Sequence, residues 1–557
     1  MKRFCLIALA IFIVVFTFWT LLLSYFQQDE WHTFGMIQSY GLEYVTSGKP
    51  IWTSLLSDRI GARFLMYVLF GVFSTNPIPY GLFSLLIHFL NAFLLFRFVS
   101  KVTSNQTIGV ISAAFFLMNS ASDQAYSWFG TMAGSAISIT FILLSLIFYY
   151  SFLTKRRYSY NLLSIMFLWT SFLFKEVGYF IFVSYPILWL IYTKNKSLKS
   201  FVKNNLLLFI YGAVMTVFFI QSVLFIPGVR ANYIMPQASG FIKVINHLVL
   251  YPLEGISQIF LPPPFIFNLS RYFASLVDKS LQPDTPPFDL FYTTIMAEYV
   301  SIGISIAIIL FLIVVYKNFI RKTKEKIRLF FLSSVFFFLF SFLPYIVIDK
   351  FDAYLDSRYY YSTLIGASII LGVLIYSLLQ FVKSNKGRKL AIFLFAVLFF
   401  YHSITLMNSL YRQFIISRER ISMIDQIKNI APVLSKKTVF FIRGNSPGYY
   451  GIPELKVPFQ SGLGQVLMTI YSSENPSYTM FFKEETFWKT ADGGFLYDTL
   501  AQGYKEANGV GFGYYYDQKT LKEGLSKKLF NKESVISLFY NSDEKTVKKQ
   551  ELDEINL

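Results

Sequence analysis

The chain opens MKRFCLIALAIFIVVFTFWTLLLSYFQQDEW, residues 1–31: two basic residues, a long apolar run, then the acidic pair Asp29–Glu30. A helix needs about 20 apolar residues to cross a hydrocarbon core of about 30 Å. The basic start suits a signal peptide, but the apolar run outlasts an h-region and ends in Ser24-Tyr25-Phe26, not in a small-x-small cleavage site. The stretch reads as an uncleaved first span with Lys2 and Arg3 in the cytoplasm. It delivers Asp29 and Glu30 to the opposite face.

Working outward, the 557 residues are 54% hydrophobic, 19% aromatic and only 15% charged, and the mean hydropathy is +0.49. A soluble protein carries about 25% charged residues. Length here sets a number of spans, and eleven segments qualify: 4–26, 79–100, 106–120, 132–153, 160–174, 177–193, 205–226, 293–316, 329–347, 362–382 and 390–407. The basic residues fall at alternate ends of these, at 2–3, 97–101, 155–157, 194–203, 316–328 and 383–389. Those segments hold 21 Lys and Arg against the single acid Glu325, which marks the cytoplasmic side. That excess accounts for the formal charge of +18 and removes nucleic acid as a partner.

The opposite side receives the long segments 27–78 and 227–292, the loop 348–361 and everything after 408. The fold class is an all-α polytopic membrane domain over 1–407, followed by a small soluble α/β domain over 408–557 on the extracytoplasmic side. In that tail Ile421, Ile424, Ile427, Ile430 and Leu434 recur at helical spacing. Residues 437–443, 477–482, 511–517 and 535–540 read as strands, with a helix over 520–530. Cys5 is the single cysteine, so no intramolecular disulfide forms. The chain reads as a multi-pass plasma (inner) membrane protein with a cytoplasmic N-terminus.

Loops carry sites while spans mostly carry packing, so chemistry is sought on the outer side. Asp29 is placed to cap a helix running toward Gly48, with Met36, Ile37, Tyr40, Tyr44 and Val45 as its apolar stripe. Arg59 and Arg63 stand at i, i+4 on one helical face, suited to a phosphate or to lipid headgroups. Lys175 and Glu176 separate two spans, either as an ion pair that keeps a turn wet or as a cationic contact to an anionic substrate. Asp349, Asp352, Asp356 and Arg358 precede or lead into Tyr359, Tyr360 and Tyr361, which also suit an aromatic belt. Asp123 lies in a short outer loop and reads first as a solvating group. His32, His88, His247 and His402 are scattered, with no HExxH or Cys/His cluster and no Walker loop, so neither a zinc site nor nucleotide-driven transport is supported.

This arrangement resembles the type C (GT-C) superfamily of polyprenyl-phosphate-sugar-dependent membrane glycosyltransferases, which includes protein O-mannosyltransferases and lipid A aminoarabinose transferases. Asp29–Glu30 stands where that group carries an acidic pair in its first outer loop. The segments 76–96 with His88 and Asn91, 125–134, 174–186 and 357–372 follow in the same order and sidedness. The resemblance covers about residues 1–380 and leaves the tail outside it. It implies transfer of a sugar from a polyprenyl-phosphate donor to an acceptor on the outer face, with inversion. Asp29 would be the general base with Glu30 in support. Arg358, Lys175, Arg59 and Arg63 would meet the donor phosphate, and Asp123 and Glu176 are candidate acceptor or metal contacts. Some members of the group bind a divalent metal, but the acid count here favours metal independence, and Gln124 stands where some relatives carry an acid. The alternative is a non-enzymatic lipid-linked glycan transporter, or a membrane scaffold or sensor with an extracytoplasmic binding domain. A transporter would place polar or Gly/Pro-broken residues inside several spans.

Overall fold

The computed structural model describes residues 13–46, 59–177, 181–182, 184–193, 197–225, 240–277, 290–346, 357–445, 458–459, 463–472, 477–478 and 503–552. Within these, the side chains of 28–29, 219–225, 240–243 and 290–295 are outside the description. Asp349, Asp352 and Asp356 also lie outside the described residues. The chain divides into two compact units.

The first unit holds residues 1–21, 49–63 and 81–410. Seven described helices are long and apolar enough to cross a membrane: Pro77–Thr103, Phe129–Lys155, Leu198–Phe218, Met296–Lys322, Glu325–Tyr345, Ser357–Phe381 and Asn385–Ile430. The count becomes eight if one bent pair is a single span, against the eleven expected. Each of the other four expected segments also carries a helix, but a short one: Ile13–Leu23, Gln106–Met118, Tyr158–Phe174 and Ser184–Tyr192. The bent pair lies in 227–292, expected as an outer loop. There Val244–Phe260 and Pro263–Val277 meet at 109°. The run Pro262-Pro263-Pro264 explains the break, because proline cannot continue a helix but fits the first turn of the next.

Ser357–Phe381 is buried on nearly every face. It packs closely because its small residues let backbones approach. A Cβ on Gly366 would come within 2.8 Å of the Ser334 carbonyl oxygen, and one on Gly372 within 2.9 Å of that of Ile108.

The second unit holds 22–48, 64–80 and 411–557, so the segment after the first span folds with the tail. Its sheet has β1 (Lys437–Gly444), β2 (Gly503–Ala507), β3 (Val510–Tyr515), β4 (Val535–Asn541) and β5 (Thr546–Lys549), in the order β2-β3-β1-β4-β5. The central β1 runs parallel to β3 and β4, while β2 and β5 pair antiparallel at the edges. Asn508 and Gly509 join β2 to β3 with φ of 51° and 74°, the two left-handed residues that a two-residue hairpin of matching twist requires. Gln518–Ser526, capped by Asp517, packs Leu521 against Val439, Phe441, Tyr515 and Phe530. Of the strand expected at 477–482, only 477–478 are described, and they form a helical turn.

Candidate functional site

The acidic motif belongs to the second unit. The helix after it spans Gln28–Tyr40, and its N-cap is Gln27, not Asp29. The cap is completed from inside the helix, where Glu30 Oε2 accepts the Gln27 amide at 2.5 Å. The two residues form a capping box, in which the Gln27 side chain faces the Glu30 amide and the N3 carboxylate satisfies an amide that the helix leaves over. Glu30 is 1% exposed. Trp31 and Phe34 beside it are fully buried, edge-to-face with Phe26 at 5.7 and 4.8 Å. Asp29 lies in the first helical turn, and its side chain is outside the described residues. The cap reading of Asp29 therefore gives way: the capping carboxylate is Glu30. Gly41, with φ of 55°, ends the helix ahead of the expected stop at Gly48, which lies outside the described residues.

In the first unit the structure brings Lys175 and Arg358 together on one ring. Lys175 follows the last residue of Tyr158–Phe174 and is 5% exposed. Its Nζ donates to Ser135 Oγ at 2.5 Å and lies 5.1 Å from the centre of the Tyr359 ring. Ser135 belongs to a wide π-type turn, Met132–Ala136, inside the spanning helix. Such turns recur at functional sites because they redirect side chains within a helix. Arg358, in the first turn of Ser357–Phe381, sits 5.2 Å from the same Tyr359 ring and 5.5 Å from Trp128. An aromatic face attracts a cation through its ring quadrupole, so Tyr359 is a common seat for both side chains. Tyr345 supports the platform, its ring 4.6 Å from that of Tyr359.

Arg59 takes a different role from the one expected. The helix starts at Ile60, and Arg59 precedes it with φ of 48°, its carbonyl accepting the Arg63 amide at 3.2 Å. Its Nε and Nη2 donate to the two carboxylate oxygens of Glu176 at 2.8 and 2.5 Å. Burial pushes the Glu176 carboxyl up, but Arg59 and Lys175 outweigh it and hold the group below its ordinary value. Glu176 is thus an ionised clamp on the Lys175 turn, and Arg59 is its partner. Arg63 lies one turn into the helix.

Asp123 is buried, contrary to the solvating role expected. Its Oδ1 accepts from Ser357 Oγ at 2.7 Å and from the Gln124 amide at 2.8 Å, and Ser409 Oγ donates to Oδ2. Burial raises its pKa, while the three donors pull it back. It fastens the head of Ser357–Phe381 to Asn385–Ile430. With both oxygens so engaged, Asp123 is a poor metal ligand, and no group of three or more His, Cys, Asp or Glu side chains among the described residues is placed to hold a metal ion.

Sequence reasoning passed over the tyrosines as chemistry. Tyr361 Oη meets both His88 Nδ1, at 2.9 Å, and Asn91 Nδ2, at 3.1 Å. Asn91 also donates to the Ala136 carbonyl at 2.9 Å, at the end of the wide turn. The signal was present in the i, i+3 spacing of His88 and Asn91, which puts both on one helical face.

No protein-family model matches the chain, and no curated protein matches it. Among solved structures, ArnT from Cupriavidus metallidurans bound to undecaprenyl phosphate aligns with a TM-score of 0.35 and 12% identity, over 88% of this chain and 92% of that one. The apo state of the same protein aligns with a TM-score of 0.35 and 13% identity, over 94% and 95%. Likeness at that level carries no argument about fold or activity, and the functional reading rests on the chain's own residues.

Proposed function

We propose that this chain is a membrane glycosyltransferase that moves a sugar from a polyprenyl-phosphate donor to an acceptor on the extracytoplasmic face of a plasma membrane, without a metal. The observation that carries the reading is the pair of cations, Lys175 and Arg358, gathered on the Tyr359 ring. By the alternation of basic residues along the sequence, both stand at span ends away from the 21 basic loop residues.

A lipid phosphate is the anion that such a place suits. In the reaction the bond between the anomeric carbon and the phosphate oxygen breaks, and its electron pair leaves with the phosphate. Fixed cations stabilise that growing charge without reorganising. The acceptor hydroxyl attacks the anomeric carbon from the opposite side, forming the new bond with inversion, and its proton passes to Asp29. One feature supports Asp29: the acidic pair directly follows the first span.

The test is transfer from radiolabelled polyprenyl-phosphate sugars in membranes containing the protein. Asp29→Asn should abolish transfer while leaving expression and donor binding near normal. Full activity in that variant would sink the catalytic assignment.

A further inference from the structure

The acidic motif is held by the tail. Tyr25 donates its amide to Ser417 Oγ at 2.8 Å, Thr469 Oγ1 donates to the Trp31 carbonyl at 3.4 Å, and Ser472 Oγ donates to Gln38 Oε1 at 2.8 Å. These contacts place residues 25–38 against 411–430 and 463–472 of the same unit. The strongest of them uses a charge. Arg420 is 1% exposed, and a guanidinium removed from water is tolerated only where its donors meet acceptors. Arg420 donates from Nη1 to Gln27 Oε1 at 2.8 Å and to the Phe26 carbonyl at 3.4 Å, and from Nε to the Pro458 carbonyl at 2.7 Å. The Phe459 ring covers it, 5.8 Å away.

We propose that Arg420 is a positioning residue for the Asp29–Glu30 motif, and that the C-terminal domain serves to present this motif. The chain of contacts is short: Arg420 fixes the Gln27 side chain and the Phe26 carbonyl, and the Gln27 amide fixes Glu30. Gln27 and Glu30 bracket Asp29 in sequence, so the helix start that carries Asp29 is set from both sides. Fork geometry matters here, because one guanidinium reaches three oxygens on two segments, whereas an ammonium on the same stem is a point charge. A carboxylate that acts as a base needs its position kept to within about an ångström, and loss of that order costs about 10²-fold in rate. The catalytic part of this inference rests on the proposed function, while its structural part does not.

The experiment uses the full-length chain in lipid nanodiscs with a polyprenyl-phosphate sugar donor, and compares Arg420→Lys and Gln27→Ala with the unmodified chain and with Asp29→Asn. Hydrogen exchange over residues 25–34 is measured on the same samples, with β1 as the internal reference. Arg420→Lys should lower kcat by about 10- to 100-fold with the donor KM within about twofold. Exchange should rise in 25–34 and stay unchanged in β1. Gln27→Ala, which removes one acceptor and keeps the arginine, should move both readouts the same way by a smaller factor, and it serves if Arg420→Lys fails to fold. Unchanged exchange in 25–34, or a kcat within about twofold of the unmodified chain while Asp29→Asn is inactive, overturns the inference. If Asp29→Asn is fully active, the proposed function falls instead, and the exchange data still decide whether Arg420 holds the motif.

Discussion

Replacing Lys175 with methionine removes one positive charge and keeps a side chain of similar length. In the structure Lys175 is 5% exposed, bonded to Ser135 Oγ at 2.5 Å and set 5.1 Å from the Tyr359 ring centre. Little water reaches it to screen its charge. A unit charge about 4 Å from a phosphate oxygen interacts with it by about 4 kcal/mol at an effective dielectric constant of about 20. Only the part that grows as the leaving phosphate forms accelerates the reaction, and removing one fixed donor from a developing anion typically costs about 10²- to 10³-fold in kcat. Arg358 remains on the same ring, so the lower end applies and Lys175→Met should lose about 10²-fold. The assay is single-turnover transfer from a labelled polyprenyl-phosphate sugar, with donor binding measured separately. On the proposed function both cations serve one anion, and the double change Lys175→Met/Arg358→Ala should then depart from additivity by about 1 kcal/mol or more. A folded Lys175→Met protein that keeps kcat within about threefold would refute the assignment of this cluster to the leaving phosphate.

Asp123→Ala takes the acceptor from two serine hydroxyls and one amide; a buried donor left unsatisfied costs about 1–3 kcal/mol, so the midpoint of thermal unfolding in detergent should fall by several degrees. Asp123→Asn, which keeps one acceptor oxygen, should fall less. Gly366→Ala puts a methyl group 2.8 Å from the Ser334 carbonyl oxygen and 2.9 Å from the Phe338 amide nitrogen; backbone cannot swing away, so it should destabilise the bundle by about 1–3 kcal/mol, read as a lower unfolding midpoint, and an unchanged midpoint would show that the two helices separate freely.

The spans were legible because apolar composition over about 20 residues is a one-dimensional signal. The helices in 227–292 were not, because they are apolar on one face only and a triple proline interrupts them. In the tail, β1, β3 and β4 announce themselves by aromatic and β-branched runs. The edge strand β2, GYKEA, is polar and weak as a strand by itself. The Asn508-Gly509 pair that forms the hairpin was the available cue. For the site, charge and sidedness singled out Lys175 and Arg358, but their meeting on Tyr359 is a tertiary fact with no local signature. The same holds for Arg420: it lies among alternating charges in RQFIISRERISMID, and only folding shows which of its arginines is buried.

The doubled acid of QQDEW then has a physical reading. Glu30 accepts a backbone amide at a helix start, one of the N–H groups that a helix leaves without an internal partner. A carboxylate committed to such a bond orders the chain. The residue one position earlier stands in the same first turn without serving as the cap. On the proposed function the two duties divide between neighbours, Glu30 fixing the helix start and Asp29 taking the proton. A single acid would have to trade one duty against the other, because each hydrogen bond that locks a carboxylate in place also lowers its basicity.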